Sequence, residues 1–256
     1  MGILEGKRVL VAGVTHSTSI GYAVAQVAQA EGATVLVSNF GRALSLTRRV
    51  VQRLDPVPPV LEVDVSSEEH LAGLADQVRE HVDGLDGLVH SIAYANPQTA
   101  LGGGFLETEW SDVGQALQVS AYSMASLVRA VRPVLTRGAS VVGLTFDASV
   151  SWPMYDWMGV AKAALESTSR YLARYLGPDQ IRSNIVSAGP LDTLAKKAIP
   201  GVTDLDATWS HRAALGWDQS DATPTAKAVV ALLSDWFSKT TGEIIHVDGG
   251  VHSTGA

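Results

Sequence analysis

The 256-residue sequence contains no cysteine, which excludes disulfides, thiolate zinc sites and cysteine nucleophiles. It has no run near the roughly 18 consecutive apolar residues that a membrane-spanning helix needs. The opening "MGILEGKRVLVAG" passes from a short polar start into a strand-like run, so neither a secretory nor a transit leader is expected and the cytoplasm is the expected location. Positive charge is scarce: 19 Lys and Arg stand against 26 Asp and Glu, a net charge of −7. That balance argues against a broad nucleic-acid surface. The seven histidines show no H-x-x-x-H spacing, so no metal site is expected. G-x-S-x-G is missing, which leaves a serine hydrolase elbow unsupported, and so is the GK[ST] of a nucleoside-triphosphate loop.

What is present is globular. Hydrophobic residues make up 46% and charged residues 18%, and a single domain over residues 1–256 is expected. Seven β-branched runs read as strands: "RVLVAG", "TVLVSNF", "PVLEVDV", "LDGLVHSIA", "SVVGLTF", "IRSNIVSAG" and "GEIIHVDGG". Helical periodicity falls between them, at Ile20 to Glu31, Arg42 to Leu54, Glu68 to Val82, Ser111 to Leu135 and Tyr155 to Leu176. This alternation predicts an α/β fold of the Rossmann type, a doubly wound parallel sheet with helices on both faces. Ser66 with Glu69 has capping-box spacing, and Gly32 and Gly177 sit where helices should stop. The stretch Leu191 to Gly216 is the least regular and is expected to be a lid over a site.

Ligands of such sheets collect at the carboxyl ends of the strands. After the first strand stand Gly13 and, at a helix opening, Ser19-Ile20-Gly21. Free amides there make a seat for pyrophosphate, although the spacing departs from G-x-G-x-x-G, and Ser19 as a plain cap is an equal reading. Later strand ends present Asp64 with Val65, and Ser91, Ile92 and Ala93. Asp64 suits an adenine amino group and equally suits a turn cap. The acid that grips a ribose is expected about 20 to 25 residues beyond the glycines, where "VSNFGR" offers Phe40 and Arg42 instead. Phe40 as an adenine wall suits NADH, while Arg42 suits a 2′-phosphate. NADH is the expected cofactor, NADPH the less favoured.

"SWPMYDWMGVAK" places Tyr155 and Lys162 seven residues apart. On a helix they fall within about 20° of each other and about 10 Å apart. One reading is an interfacial Tyr beside a snorkelling Lys. The other is a phenol that bonds a developing oxyanion and an ammonium that binds ribose hydroxyls.

The wider context resembles one family. "SIG" (19–21), "DV" (64–65), "LDGLVHSIAYA" (85–95), "SAYS" (120–123), "MGVAKAALES" (158–167), "RSNIVSAGPL" (182–191), "DATPTAKAVVALLSDW" (221–236) and "TTGEIIHVDGG" (240–250) resemble the short-chain dehydrogenase/reductase superfamily. Within it they resemble the NADH-dependent enoyl-acyl-carrier-protein reductases of fatty-acid synthesis. That branch carries Tyr-x6-Lys, whereas ordinary members carry Tyr-x3-Lys and would place the tyrosine at Met158. Phe146 in "TFDAS" is similar to the mycolic-pathway branch.

The resemblance implies that Ser19, Ile20, Asp64, Val65, Ile92 and Ala93 contact the cofactor, with Lys162 on its nicotinamide ribose and Leu191 and Thr193 near its carboxamide and pyrophosphate. It implies that Tyr155 bonds the thioester carbonyl, with Phe146 against nicotinamide and substrate. It places Tyr94 and Ala95 along the acyl site, and Trp209 and Leu215 on the lid. The substrate would be a thioester of acyl carrier protein or coenzyme A, and the assembly a homotetramer. Lys196, Lys197, His211 and Arg212 offer either a basic rim for the acidic carrier or an ordinary solvated face. Three departures stand out: Asp192 where the family has Arg, Asp156 where relatives place Asn, and a lid shorter than that of the mycolic branch, which implies medium-length acyl chains. The rival readings are a short-chain carbonyl reductase or dehydrogenase and a non-catalytic cofactor-binding relative.

Overall fold

The computed structural model describes residues 1–201 and 203–255, with residues 203–205 described by backbone alone. Seven strands form one sheet: β1 (Arg8–Ala12), β2 (Thr34–Asn39), β3 (Val60–Glu62), β4 (Leu85–His90), β5 (Leu135–Thr145), β6 (Arg182–Ala188) and β7 (Ile244–Val247). Their order is β3-β2-β1-β4-β5-β6-β7 and every pairing is parallel. The expected Rossmann-type fold is therefore observed, with each expected strand in place.

The strands are apolar on both sides because both sides are covered. On one face Leu10, Leu36, Leu88, Val141 and Ile185 pack under α3 (Glu68–Arg79), α5 (Ser123–Val131) and α6 (Asp156–Leu176). On the other, Val9, Val11, Val37, Val89 and Val186 pack under α1 (Ile20–Ala30), α2 (Gly41–Val50) and α9 (Thr223–Leu233). The alternation between the two clusters follows the two-residue period of a strand. Each of these side chains, fully buried, contributes about 1.5–3 kcal/mol.

Two local expectations are corrected. The cap of α3 is Ser67, whose Oγ accepts from the His70 amide, while Ser66 donates its hydroxyl to Asp64. The span read as one long helix is instead α4 (Trp110–Leu117), a π-turn over Gln118–Tyr122 and α5. Pro133, in a short turn over Arg132–Val134, closes it because proline cannot donate to a continuing helix, and Leu135 already belongs to β5. Gly32 follows α1 in the left-handed region at φ 92°, and Gly177 is the cap at which α6 stops, both as expected; the left-handed turn after α6 is made by Gln180 at φ 59°.

The switch in strand order lies between β1 and β4. There Gly13 adopts φ 95°, and a Cβ on it would stand 2.2 Å from the Ser91 carbonyl oxygen. Glycine is thus required by the approach of two strand ends, before any ligand enters the argument. Among the described residues, the segment expected to be a lid contains two helices, α7 (Leu194–Lys197) and α8 (Thr203–Arg212).

Candidate active site

A cavity of about 410 Å³ opens at the carboxyl edge of the sheet, over the β1/β4 switch point. Of the residues singled out from sequence, Gly13, Ser19, Ile20, Ser91, Ile92, Ala93, Tyr94, Ala95, Phe146, Tyr155, Lys162, Leu191 and Thr193 line it. They come from four strand ends, the opening of α1 and α6, which only the fold brings together.

Tyr155 stands at the threshold of α6 rather than inside it, between Met154 at φ 63° and Asp156 at φ 39°. Two non-glycine residues in the left-handed region are costly and persist only where their surroundings hold them. Here the loop 100–103 does so: the Gly102 amide donates to the Met154 carbonyl at 3.0 Å and the Gly103 amide to Asp156 Oδ2 at 2.6 Å. Asp156 thus anchors the turn that aims Tyr155. The Tyr155 ring lies 5.2 Å from that of Phe146, which also meets Trp152 at 5.2 Å and Trp209 at 5.4 Å. Tyr155 is buried, and burial pushes its phenol above its ordinary value, so the hydroxyl remains a donor at any physiological pH.

Lys162 is also buried, and its Nζ donates to the Leu144 carbonyl at 2.9 Å. Burial brings the ammonium down to about 8, with the charge of Glu166 pulling the other way. An ammonium has three donors; among the described residues one is spent on Leu144, and the side chain lines the cavity. This is a fit for vicinal hydroxyls. At the other end, Ser19 caps α1 by accepting from the Tyr22 amide at 3.3 Å, and Ser19 and Ile20 line the cavity at the opening of that helix, a position suited to an anion. The donor set therefore matches a dinucleotide: anion seat, apolar floor and ribose ammonium in sequence along the sheet edge.

Five expected residues lie away from the lining. Phe40 precedes α2, 43% exposed, and Val65 is buried in the core under α3. Asp64 Oδ1 accepts from the Ser66 amide and hydroxyl, so the turn-cap use is the one observed. Trp209 is buried behind Phe146, its Nε1 donating to the Asp248 carbonyl at 3.1 Å. Leu215 is 90% exposed, and its amide donates a hydrogen bond to the Gly249 carbonyl at 3.1 Å. The expected basic rim is also thinner than its sequence. Arg212 is spent on the Val251 and Thr254 carbonyls, and Lys196 is buried against Asp192 and Asp206. Lys197 and His211 remain exposed.

Sequence reasoning missed Thr145 and Ser120. Ser120, in the π-turn, accepts from the Tyr94 amide at 2.8 Å and donates to the Tyr94 carbonyl at 2.9 Å, fixing that strand exit. A serine in an apolar helical run was the signal, and a π-turn beside a functional site is a recurrent device. His90 is a core residue as expected, bonded to Ser123 at 2.7 Å and pushed down to about 3 by burial.

Comparison with known proteins agrees with this geometry. A family model described as enoyl-(acyl carrier protein) reductase matches residues 13–252. The NADH-type enoyl-[acyl-carrier-protein] reductase of Mycolicibacterium smegmatis is 44% identical over 97% of this chain and 97% of its own. That of Mycobacterium avium is 44% identical over the same shares, and an NADPH-type relative from Staphylococcus aureus is 35% identical over 98% of each. With the match running almost end to end, the chain belongs to the enoyl-(acyl carrier protein) reductase family.

Proposed function

We infer that the protein reduces the trans-2 double bond of an enoyl thioester with NADH, in fatty-acid synthesis or elongation. The observation that carries this is one cavity faced by a buried, protonated phenol and a buried ammonium with donors to spare. When bound, NADH would supply the hydride to C3 of the substrate, and a proton from solvent would then reach C2 to complete the reduction. Tyr155 then donates a hydrogen bond to the thioester carbonyl oxygen, where negative charge gathers, while Lys162 holds the ribose hydroxyls. Phe146 packs behind Tyr155 and limits water. Ser19, Ile20, Ser91, Ile92, Ala93, Leu191 and Thr193 bind the nucleotide, and Tyr94 and Ala95 border the acyl chain. The decisive experiment follows loss of NADH absorbance on adding a crotonyl or dodecenoyl thioester, repeated with NADPH. Reduction of ketones in place of enoyl thioesters would move the protein to the carbonyl-reductase reading.

Residues 1–256 act as one reductase domain, in the cytoplasm, on thioesters of acyl carrier protein or coenzyme A. Assembly as a homotetramer is supported by a groove between α5 and α6 lined by Ala125, Ala164 and Leu172 and flanked by Tyr171 and Tyr175, which are 63% and 71% exposed. Preference for medium acyl chains is tested by rates along a ladder of enoyl thioesters; a rise out to the longest chains would defeat it.

A further inference from the structure

Glu166 lies one turn beyond Lys162 on α6, half-buried, and no step above uses it. Thr145 Oγ1, with one proton to donate, stands 3.1 Å from both Glu166 Oε1 and the Phe146 carbonyl, and the Ala148 amide donates to the same carboxylate. Lys162 Nζ donates to the Leu144 carbonyl at 2.9 Å. Two side chains four apart on one helix therefore clasp two consecutive residues of β5, Leu144 and Thr145, at the cavity wall. A buried ammonium loses its proton easily unless a negative charge stands near it.

The charges around Lys162 are few. From β4 comes His90, held neutral by burial and by the Lys162 charge itself. From α6 comes Glu166, whose own partners are Asp147 beyond β5, opposing its charge, and Arg170 on the next turn, favouring it. Glu166 is the one group whose charge is resolved as pulling the Lys162 proton equilibrium upward.

We infer that Glu166 is a positioning residue that, fixed by Thr145, keeps Lys162 charged and aimed into the cavity. The inference rests on the reading that the Lys162 ammonium holds the nicotinamide ribose. It extends the machinery to a residue that touches neither substrate nor cofactor.

The test is Glu166→Gln, which keeps the side-chain volume and an acceptor for Thr145 while removing the charge. NADH binding is followed by fluorescence titration from neutral to alkaline pH in the wild type, in this variant and in Glu166→Asp, with circular dichroism confirming each fold. The wild type should lose affinity as the ammonium discharges. In Glu166→Gln that loss should begin about one pH unit lower, with affinity near neutrality largely kept, and Glu166→Asp should restore the wild-type limb. A fold-wide defect would lower affinity at every pH without moving the limb. A limb that stays in place in Glu166→Gln overturns the inference alone. Wild-type binding with no alkaline limb overturns the assignment of Lys162, and the inference with it.

Discussion

Lys162 and Lys196 line the same cavity and are buried almost equally, 7% and 8% exposed, yet they are built for opposite tasks. Lys162, on α6, spends one donor on a carbonyl and keeps the rest for the cavity. Lys196, on α7, is closed off. It bonds Asp192 Oδ1 at 3.0 Å and Gln219 Oε1, and meets Asp206 Oδ1 in a charge contact at 2.7 Å whose angle makes no hydrogen bond. A buried cation held by two acceptors and a further carboxylate fixes structure; one with a single acceptor is poised for a ligand. Lys196 ties α7 to α8 and to Gln219 beyond them, which gives the Asp192 departure a structural use.

The α6 side should show the larger functional effects. Tyr155→Phe is expected to lower kcat on the order of a hundredfold, since one lost donor to an oxyanion costs about 3 kcal/mol, with NADH affinity intact. Steady-state kinetics on an enoyl thioester would check this, and an unchanged kcat would remove the phenol from the reaction. Lys162→Met should weaken NADH binding roughly 10- to 100-fold, because hydrogen bonds to a charged group contribute about 1.5–3 kcal/mol. Lys196→Met should change it by a few-fold at most. Equal losses in parallel titrations would break the contrast between the two lysines.

His90 sharpens the same contrast. Its folded value of about 3 lies below the ordinary 6.5, so the unfolded chain binds a proton that the native state refuses. Stability from this group is therefore present above about pH 6.5 and is lost as pH falls towards 3. By pH 5 the loss is roughly 1–2 kcal/mol. Urea unfolding at pH 7 and pH 5 should show the decline, and His90→Gln should flatten it. The smallest expected effect is on stability around Lys196. Asp192 and Asp206 keep 55% and 34% of their side chains exposed, so water screens what Lys196→Met leaves behind. The cost should be about 1 kcal/mol, read as a Tm lower by about 2–4 °C.

Most of the sheet was legible because a doubly covered strand can hardly be anything but a short β-branched run, as "RVLVAG" and "SVVGLTF" illustrate. The end of the Ser111 to Leu135 span was not, since its apolar period continues through a π-turn that Ser120 and Ser123 stabilise through contacts distant in sequence. The lid was read as irregular because its two short helices carry weak amphipathic signals and are joined by ion pairs rather than by a core. Leu215 was placed by resemblance and Phe40 by its spacing from the glycines, and neither lines the cavity.

The sequence by itself determined the residue types, the parallel α/β architecture and the seven-residue separation of Tyr155 and Lys162, because periodicity and composition are local properties. Only the tertiary structure decided which polar groups were left with bonds to give. It set Lys162 one acceptor deep beside Glu166, closed Lys196 among Asp192, Asp206 and Gln219, and sent Asp64 into its own turn. Hydrogen-bond satisfaction is a sum over neighbours from many strands and helices, and no single stretch of chain contains that sum.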